Sequence, residues 1–505
     1  MRAPVSALLA AALMPALPVW SQSEPPVRVQ ARLGSSLTIS DQIDVRADRS
    51  ADRGAVLSLT PGVMVSARGA QLKGRLDYGL NLLAPWRVER DPRRVQHSLN
   101  ANMDWQPSDT GFALGATASI AQQQQSAFGV QRSSTGEISL SDENRAEVYR
   151  VDLAPSFQTR LGPFAALTLS HRVGVSNTKD SLVGDAVTRA SSIRLGSPSR
   201  GVLNWTLGLE DSETRPKGNR RSETQTARLS LNWVPDSDWE LGVSGGRERS
   251  SLNAAGELQS GAIYGASLRW RPGPRTRLDL GADHRVFGNT YNLSLDHRFA
   301  RSSIRISQTR GVTEPGLIGL GSSRTYYDLL FAQLAAVEPD PALRELLVLA
   351  QLQQLGLPRD ALATAGSIAG RPSLTQSSLA AATWQTQRST WTLTGSRSRS
   401  TRLGTATDGP DDDFRTSSLI DTTGFTLGVA YRLSPVDGVN LSFNWQRNAG
   451  DREELRTRLR TWQLAWSTRL GPRQQFSASL RHSAFASLSF PYDENALVLS
   501  YQQLF

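Results

Sequence analysis

Five histidines are the first residues to weigh for catalysis or metal binding. His97 precedes Ser98 and His482 precedes Ser483, while His284 and His297 stand apart from any serine frame. A serine hydrolase needs a serine, a histidine base and a third group that orients the base. None of these neighbourhoods supplies that set, and each histidine reads better as a wall or interface residue. Nor do the histidines recur at metal-ligand spacing. The absence of cysteine removes disulfides, thiolate catalysis and every Cys-ligated zinc or iron–sulfur site. No GxxxxGK[ST] phosphate loop occurs. The sequence therefore predicts no catalytic residue, no metal and no cofactor, and the chain is not expected to be an enzyme.

Charged residues remain. Lys and Arg number 56 against 46 Asp and Glu, a formal net charge of +10. Arginine carries this excess and is spread along the chain, which is not the blocked pattern of a nucleic-acid arm. Asp411, Asp412 and Asp413 form an acidic run that would suit a cation, but a solvated acidic loop is the better reading. Arg397, Arg399 and Arg402 form one basic group, and Arg456, Arg458 and Arg460 a second. What such groups do depends on the elements that hold them.

Those elements are strands. In the 439–446 segment Val439, Leu441, Phe443 and Trp445 alternate with Asn440, Ser442, Asn444 and Gln446. Phe425, Leu427, Val429 and Tyr431 alternate likewise with Thr426, Gly428, Ala430 and Arg432. Period-two alternation is the strand signal, and the runs are long enough to cross a bilayer at a tilt, which takes about 9–11 residues. Trp86, Trp105, Trp205, Trp233, Trp239, Trp270, Trp384, Trp391, Trp445, Trp462 and Trp466 sit near strand ends, as interfacial girdles do. Every second link is a tight Gly/Pro/Asp/Ser turn. The links between them, such as 125–144, 212–221 and 402–417, are longer and polar. Backbone in lipid must pair completely, so strands like these close on themselves. Mean hydropathy is −0.34, and no mature segment reaches the ~18 apolar residues of a spanning helix.

Met1 and Arg2 lead an apolar stretch to Trp20, then Ser21, Gln22 and Ser23, the pattern of an export signal cleaved near Ser21 to Ser23. At the other end Leu497, Leu499, Tyr501 and Phe505 share one parity, resembling the signal read by the outer-membrane assembly machinery. The expected fold is all-β: a transmembrane antiparallel outer-membrane β-barrel of roughly 22 strands, with a short α-helical insertion. Residues 1–23 are the signal peptide, 28–313 and 373–505 the two parts of the barrel, and 314–372 the insertion. Within the insertion Tyr327, Leu330, Leu334 and Val337, then Leu343, Leu346, Leu347 and Ala350, recur at helical spacing. The insertion would fold inward as a plug, lie across the mouth as a lid, or pack on the barrel rim with no gating role.

On this reading the polar parity lines a lumen. Its expected members are Lys73, Arg75, Asp77, Asn100, Asn102, Asp104, Asp279, Asp283, Arg285, Asp296, Arg298, Arg305, Asn440 and Asn444. Mixed charge and amides suit water and sugars better than a strongly ion-selective pore. The two arginine groups fall near outer strand ends. There they would pair with lipopolysaccharide phosphates through charge-assisted hydrogen bonds, line the outer mouth and attract acidic polysaccharide or small anions, or stand simply as a solvated rim.

The stretch LSLTPGVMVSARGAQLKGRLDYGLNLL (57–83), followed by VQHSLNANMDW (95–105), resembles the PEP-CTERM-system-associated outer membrane protein family. The likeness lies in Thr60, Pro61 and Gly62, in Leu76, Asp77 and Tyr78, and in Leu99, Asn100 and Ala101. The segment YYDLLFAQLAAVEPDPALRELLVLAQLQQLGLP (326–358) is also similar to theirs and is its most specific part. The resemblance implies an envelope role in exopolysaccharide-producing, exosortase-bearing bacteria and supplies no catalytic residues. The expectation is a non-enzymatic Gram-negative outer-membrane conduit or partner in exopolysaccharide export. An uptake porin and a non-conducting scaffold or adhesin are the rivals. Expected partners are outer-membrane lipid and lipopolysaccharide, the assembly machinery, polysaccharide and export components, with no nucleic acid.

Overall fold

The computed structural model describes residues 27–505 except 45–51, 87–94, 108–109, 133–143, 180, 182, 199–200, 219, 253–257, 405–410 and most of 315–366. Within that last segment Tyr327, Leu330, Phe331 and Val348 are described, and all four are helical. The expected signal peptide and the remainder of 315–366 lie outside the described residues, while Glu314 and 367–372, expected as part of the insertion, are described and not helical.

The wall opens with β1 (Val27–Asp44), β2 (Asp52–Arg68), β3 (Leu72–Trp86), β4 (Val95–Trp105), β5 (Phe112–Gln124) and β6 (Arg145–Leu161). It continues through β7 (Ala165–Thr178), β8 (Ala186–Gly196), β9 (Leu203–Pro216), β10 (Ser222–Trp233) and β11 (Trp239–Ser250). Then come β12 (Gln259–Gly273), β13 (Thr276–Arg285), β14 (Gly288–Arg298) and β15 (Ser302–Thr313). Beyond the insertion lie β16 (Ser373–Gln385), β17 (Ser389–Arg402), β18 (Leu419–Arg432) and β19 (Asp437–Ala449). The last strands are β20 (Arg456–Gly471), β21 (Gln474–Ala486) and β22 (Tyr492–Leu504). Each strand pairs antiparallel with its chain neighbours, and β22 returns to β1 with Leu504 opposite Arg32 and Ala496 opposite Ser40. The Phe505 N–H donates to the Ala31 carbonyl at 2.9 Å, extending that seam by one bond. The result is a closed 22-strand antiparallel β-barrel.

Closure follows from the outward face. Leu393, Leu464, Leu480, Leu229 and Val243 are exposed to the exterior, an apolar band that only lipid can cover. A barrel is the sheet that leaves no unpaired edge in that medium. Tryptophans mark the end with the tight turns: Trp239 and Trp270 lie 5.5 Å apart, and Trp384 and Trp391 6.3 Å. Trp105 meets Phe112, and Trp466 meets Phe476, edge-on. The first half of the polar 212–221 segment expected as a long loop is strand, with Ser212 opposite Thr224 and Thr214 opposite Ser222. Beyond the bilayer, strands keep pairing and need no apolar face.

Candidate functional site

Cross-strand partners share a face, so the register assigns side chains to lumen or exterior. Lys73, Arg75 and Asp77 stand opposite Asp104, Asn102 and Asn100, all on the face away from exposed Leu72, Leu82 and Trp105. Asp279 and Asp283 lie opposite Arg269 and Gly265, and Arg285 opposite Gly288. Asp296 faces Arg305, and Arg298 faces Ser303. Asn440 pairs with Ala465 and Asn444 with Thr461, on the side opposite exposed Leu441.

The inward carboxylates and arginines form a girdle of ion pairs. Arg32 reaches Asp77 at 2.7 Å, and Arg228 reaches Asp283 at 2.7 Å. Arg269 bridges Glu240 and Asp279, which Arg277 also holds. Arg305 grips both oxygens of Asp296, and Arg285 meets the buried Glu248 at 2.5 Å. Sequence reading named one member of most pairs and missed Arg32, Arg228, Glu240, Glu248 and Arg269. Each obeys the parity of its own strand, so applying that parity strand by strand would have found them. The lumen wall is thus polar, and the carboxylates named here are held by arginines.

All five histidines point outward, each bonded to a neighbouring strand. His97 meets Tyr78, His171 meets Ser191, His284 meets Asn289, His297 meets Thr276, and His482 meets Asn495. No three metal-ligating groups converge among the described residues.

A second polar cluster lies at the outer mouth, and here two expectations are corrected. The acidic run is not a solvated loop: Asp412 and Asp413 are buried, while Asp411 alone is exposed and meets Arg415 at 3.4 Å. One helical turn, Asp413–Thr416, aims the run inward and buries Phe414. Nor does Arg402 share the exterior rim with Arg397 and Arg399. An odd offset along β17 sends it inward, where its guanidinium donates to the Phe414 carbonyl at 2.5 Å. Arg397, Arg399, Arg456, Arg458 and Arg460 all face the exterior, on the parity of exposed Trp391 and Trp462.

The buried carboxylates tie remote segments together. Asp413 accepts from Ser126 Oγ at 2.5 Å, from the Ala127 N–H at 2.7 Å and from Ser367 Oγ at 3.0 Å. Asp412 meets Arg371 at 3.0 Å and accepts the Gly370 N–H at 2.9 Å. Burial raises both carboxyls above the usual carboxylate range, against the lowering effect of these donors; for Asp412 the Arg371 charge is the largest opposing influence. The segment from β5 continues across the mouth. Asn448 donates to the Ala127 carbonyl at 2.8 Å, and Tyr492 to that of Gln131 at 2.6 Å. Ala127, Phe414 and Ile420 form an apolar knot with Phe128 and Ala369.

Both ends of the 315–366 segment are anchored at this mouth. On entry, Glu314 accepts from Thr214 and from Ser222 at 3.3 Å, both lumen-facing, and burial raises its carboxyl. On exit, the Ile368 N–H donates to the Gln124 carbonyl at 2.9 Å, at the end of β5. Five residues later the chain enters β16, halfway round the wall from β5. A circular 22-strand wall would be about 40 Å across, backbone to backbone. Residues 368–373 span at most about 20 Å, so the ends of β5 and β16 lie closer together than a circular wall would place them. The signal available for this was the change from alternation to helical spacing, which located the insertion but not its anchors.

No protein-family model matches the chain, and no curated protein matches it. Among solved structures it is similar to the siderophore receptor PirA from Pseudomonas aeruginosa, with TM-score 0.43 and 9% identity over 96% of this chain and 81% of that one. It is similar to the FrpB iron transporter from Neisseria meningitidis, with TM-score 0.49 and 10% identity over 94% and 81%. It is also similar to the outer membrane protein opdK from Pseudomonas aeruginosa, with TM-score 0.35 and 10% identity over 95% and 99%.

Proposed function

We propose that the protein is a gated outer-membrane conduit for hydroxyl-rich, saccharide-like solutes, with the 315–366 segment as the gate. The observation that carries the reading is the double anchoring of that segment, by Glu314 on entry and by Ile368, Gly370 and Arg371 on exit. A wall this large needs something across its bore if the membrane is to stay tight, and a segment whose two flanks are fastened at the mouth is suited to that. The lumen-facing amides and hydroxyls, among paired charges, offer hydrogen bonds to a polar, saccharide-like cargo. The family resemblance points the cargo outward, to exopolysaccharide. On the same proposal lipopolysaccharide surrounds the wall, and the seam strand with Tyr501 and Phe505 is read by the assembly machinery.

The test is planar-bilayer conductance and neutral-sugar flux into liposomes, for the intact chain and for a chain lacking 315–366. Small currents that become large steps on deletion support a gated conduit. Equal open currents in both point to a permanently open uptake porin. Silence in both, with the barrel shown to be folded, overturns the conduit and leaves a scaffold. Secreted polysaccharide in a strain lacking the gene then decides the direction.

A further inference from the structure

The exterior of β17 to β22 is layered in a way that lipid contact alone does not require. Reading along the register at the outer end, Arg397, Thr423, Arg447 and Arg458 form one row. Arg399, Asp421, Ala449 and Arg456 form the row above it. The row below holds Phe425, Trp445 and Arg460, and the next Phe443, Trp462 and His482. Below these, Leu441, Leu464, Leu480 and Leu497 stand side by side. Phe443 and Trp462 pack with ring centroids 4.3 Å apart.

Two observations say that this surface is built for something. The first is a charge conflict. Arg447 and Arg458 are direct cross-strand partners, and like charges opposite one another destabilise a sheet. Arg460 lies two residues further along the same face. Asp421 takes up Arg397, at 2.7 and 3.2 Å, and Glu453 takes up Arg456 at 2.9 Å. Arg447, Arg458 and Arg460 have no acidic partner among the described residues. The second is a groove of about 920 Å³, lined on the exterior of the wall by Leu441, Trp462, Leu464, Leu480, Leu497 and Trp86, with Asp41, Arg53 and His482 also at its edge. Trp462 lines the groove and is two residues from Arg460 on one face of β20.

We infer that this face binds the phosphorylated, multiply acylated glycolipid of the outer leaflet, of the lipid A class. Its phosphate answers the unpaired arginines, and its acyl chains lie in the groove beneath. Arginine suits the task because its planar fork holds two phosphate oxygens at once. An ordinary zwitterionic phospholipid carries its own cation beside its phosphate and would not relieve the Arg447 and Arg458 conflict. The inference depends on the barrel spanning the outer membrane and not on what passes through the lumen.

The test uses the full chain purified in detergent, with lipid A added from micelles and binding read by native mass spectrometry. A triple variant, Arg447→Gln, Arg458→Gln and Arg460→Gln, is expected to bind lipid A about tenfold more weakly or worse. A control on the far wall, Arg189→Gln with Arg215→Gln, should bind as the parent does. Lipid A stripped of its phosphates should bind the parent no better than the triple variant, and inorganic phosphate should not compete at matched concentration. Arg458→Gln alone serves if the triple variant does not fold. Unchanged affinity in the folded variant, equal binding of the dephosphorylated lipid, displacement by inorganic phosphate, or an equal loss in the control would each overturn the site.

Discussion

Ala127 and Asp413, 286 residues apart in sequence, meet at 2.7 Å, the backbone N–H of the first donating to the carboxylate of the second. That bond joins the outer end of β5 to the link between β17 and β18. With Arg371, Asp412 and Ser367 it makes the outer mouth a fastened structure in place of a ring of separate loops.

The Arg371 and Asp412 pair should hold the mouth by its burial. Both side chains are nearly inaccessible, so Asp412→Ala takes a facing carboxylate away from a buried guanidinium and should destabilise the mouth. Open-channel probability in planar bilayers should rise in this variant. The pair replacement Arg371→Met with Asp412→Leu should restore closure, because neither charge is then stranded.

Acid should tighten the mouth. Asp413 has a carboxyl raised by burial, so the closed arrangement takes up a proton that the open, solvated one does not hold. Closure is therefore favoured at low pH, and that contribution is lost as pH rises from the ordinary carboxylate range through the raised value. Conductance should grow as the pH rises above the ordinary carboxylate range. Asp413→Asn, with a neutral acceptor of the same shape, should flatten the profile. A profile unchanged by that substitution would assign the pH dependence elsewhere.

Lumen charge should set selectivity and leave the fold alone. Glu248 is buried against Arg285 at 2.5 Å on the inward face. In the chain lacking 315–366, Glu248→Gln should move the reversal potential in a salt gradient toward anion preference. Heat-modifiable migration of the barrel on gels should stay as in the parent.

The two faces should differ in tolerance. Leu464 faces the exterior and is 48% exposed; arginine there meets hydrocarbon and should cost about 2–4 kcal/mol at mid-bilayer depth. Ser294→Arg, on the lumen face opposite Asp279, should be close to neutral. Denaturant titration of folding into lipid vesicles measures both.

The sequence by itself determined the wall. Alternation is a local property, and lipid leaves strands with one apolar face no arrangement but closure. The approximate strand number, the alternation that puts residues such as Asp77, Asp283 and Arg305 on one face, and the break in texture after Thr313 were therefore legible. Tertiary structure alone decided what depends on distance around the ring. Arg228 and Asp283 meet although neither strand is the other's chain neighbour. Asp412 and Asp413 read as loop acids because nothing near them in sequence announces Arg371, Ser126 or the Ala127 N–H. Arg402 read with Arg397 and Arg399 because proximity in sequence hides an odd offset, which in a strand reverses the face. Whether a polar group meets water or a buried partner is settled only when the wall closes and brings remote segments over one mouth.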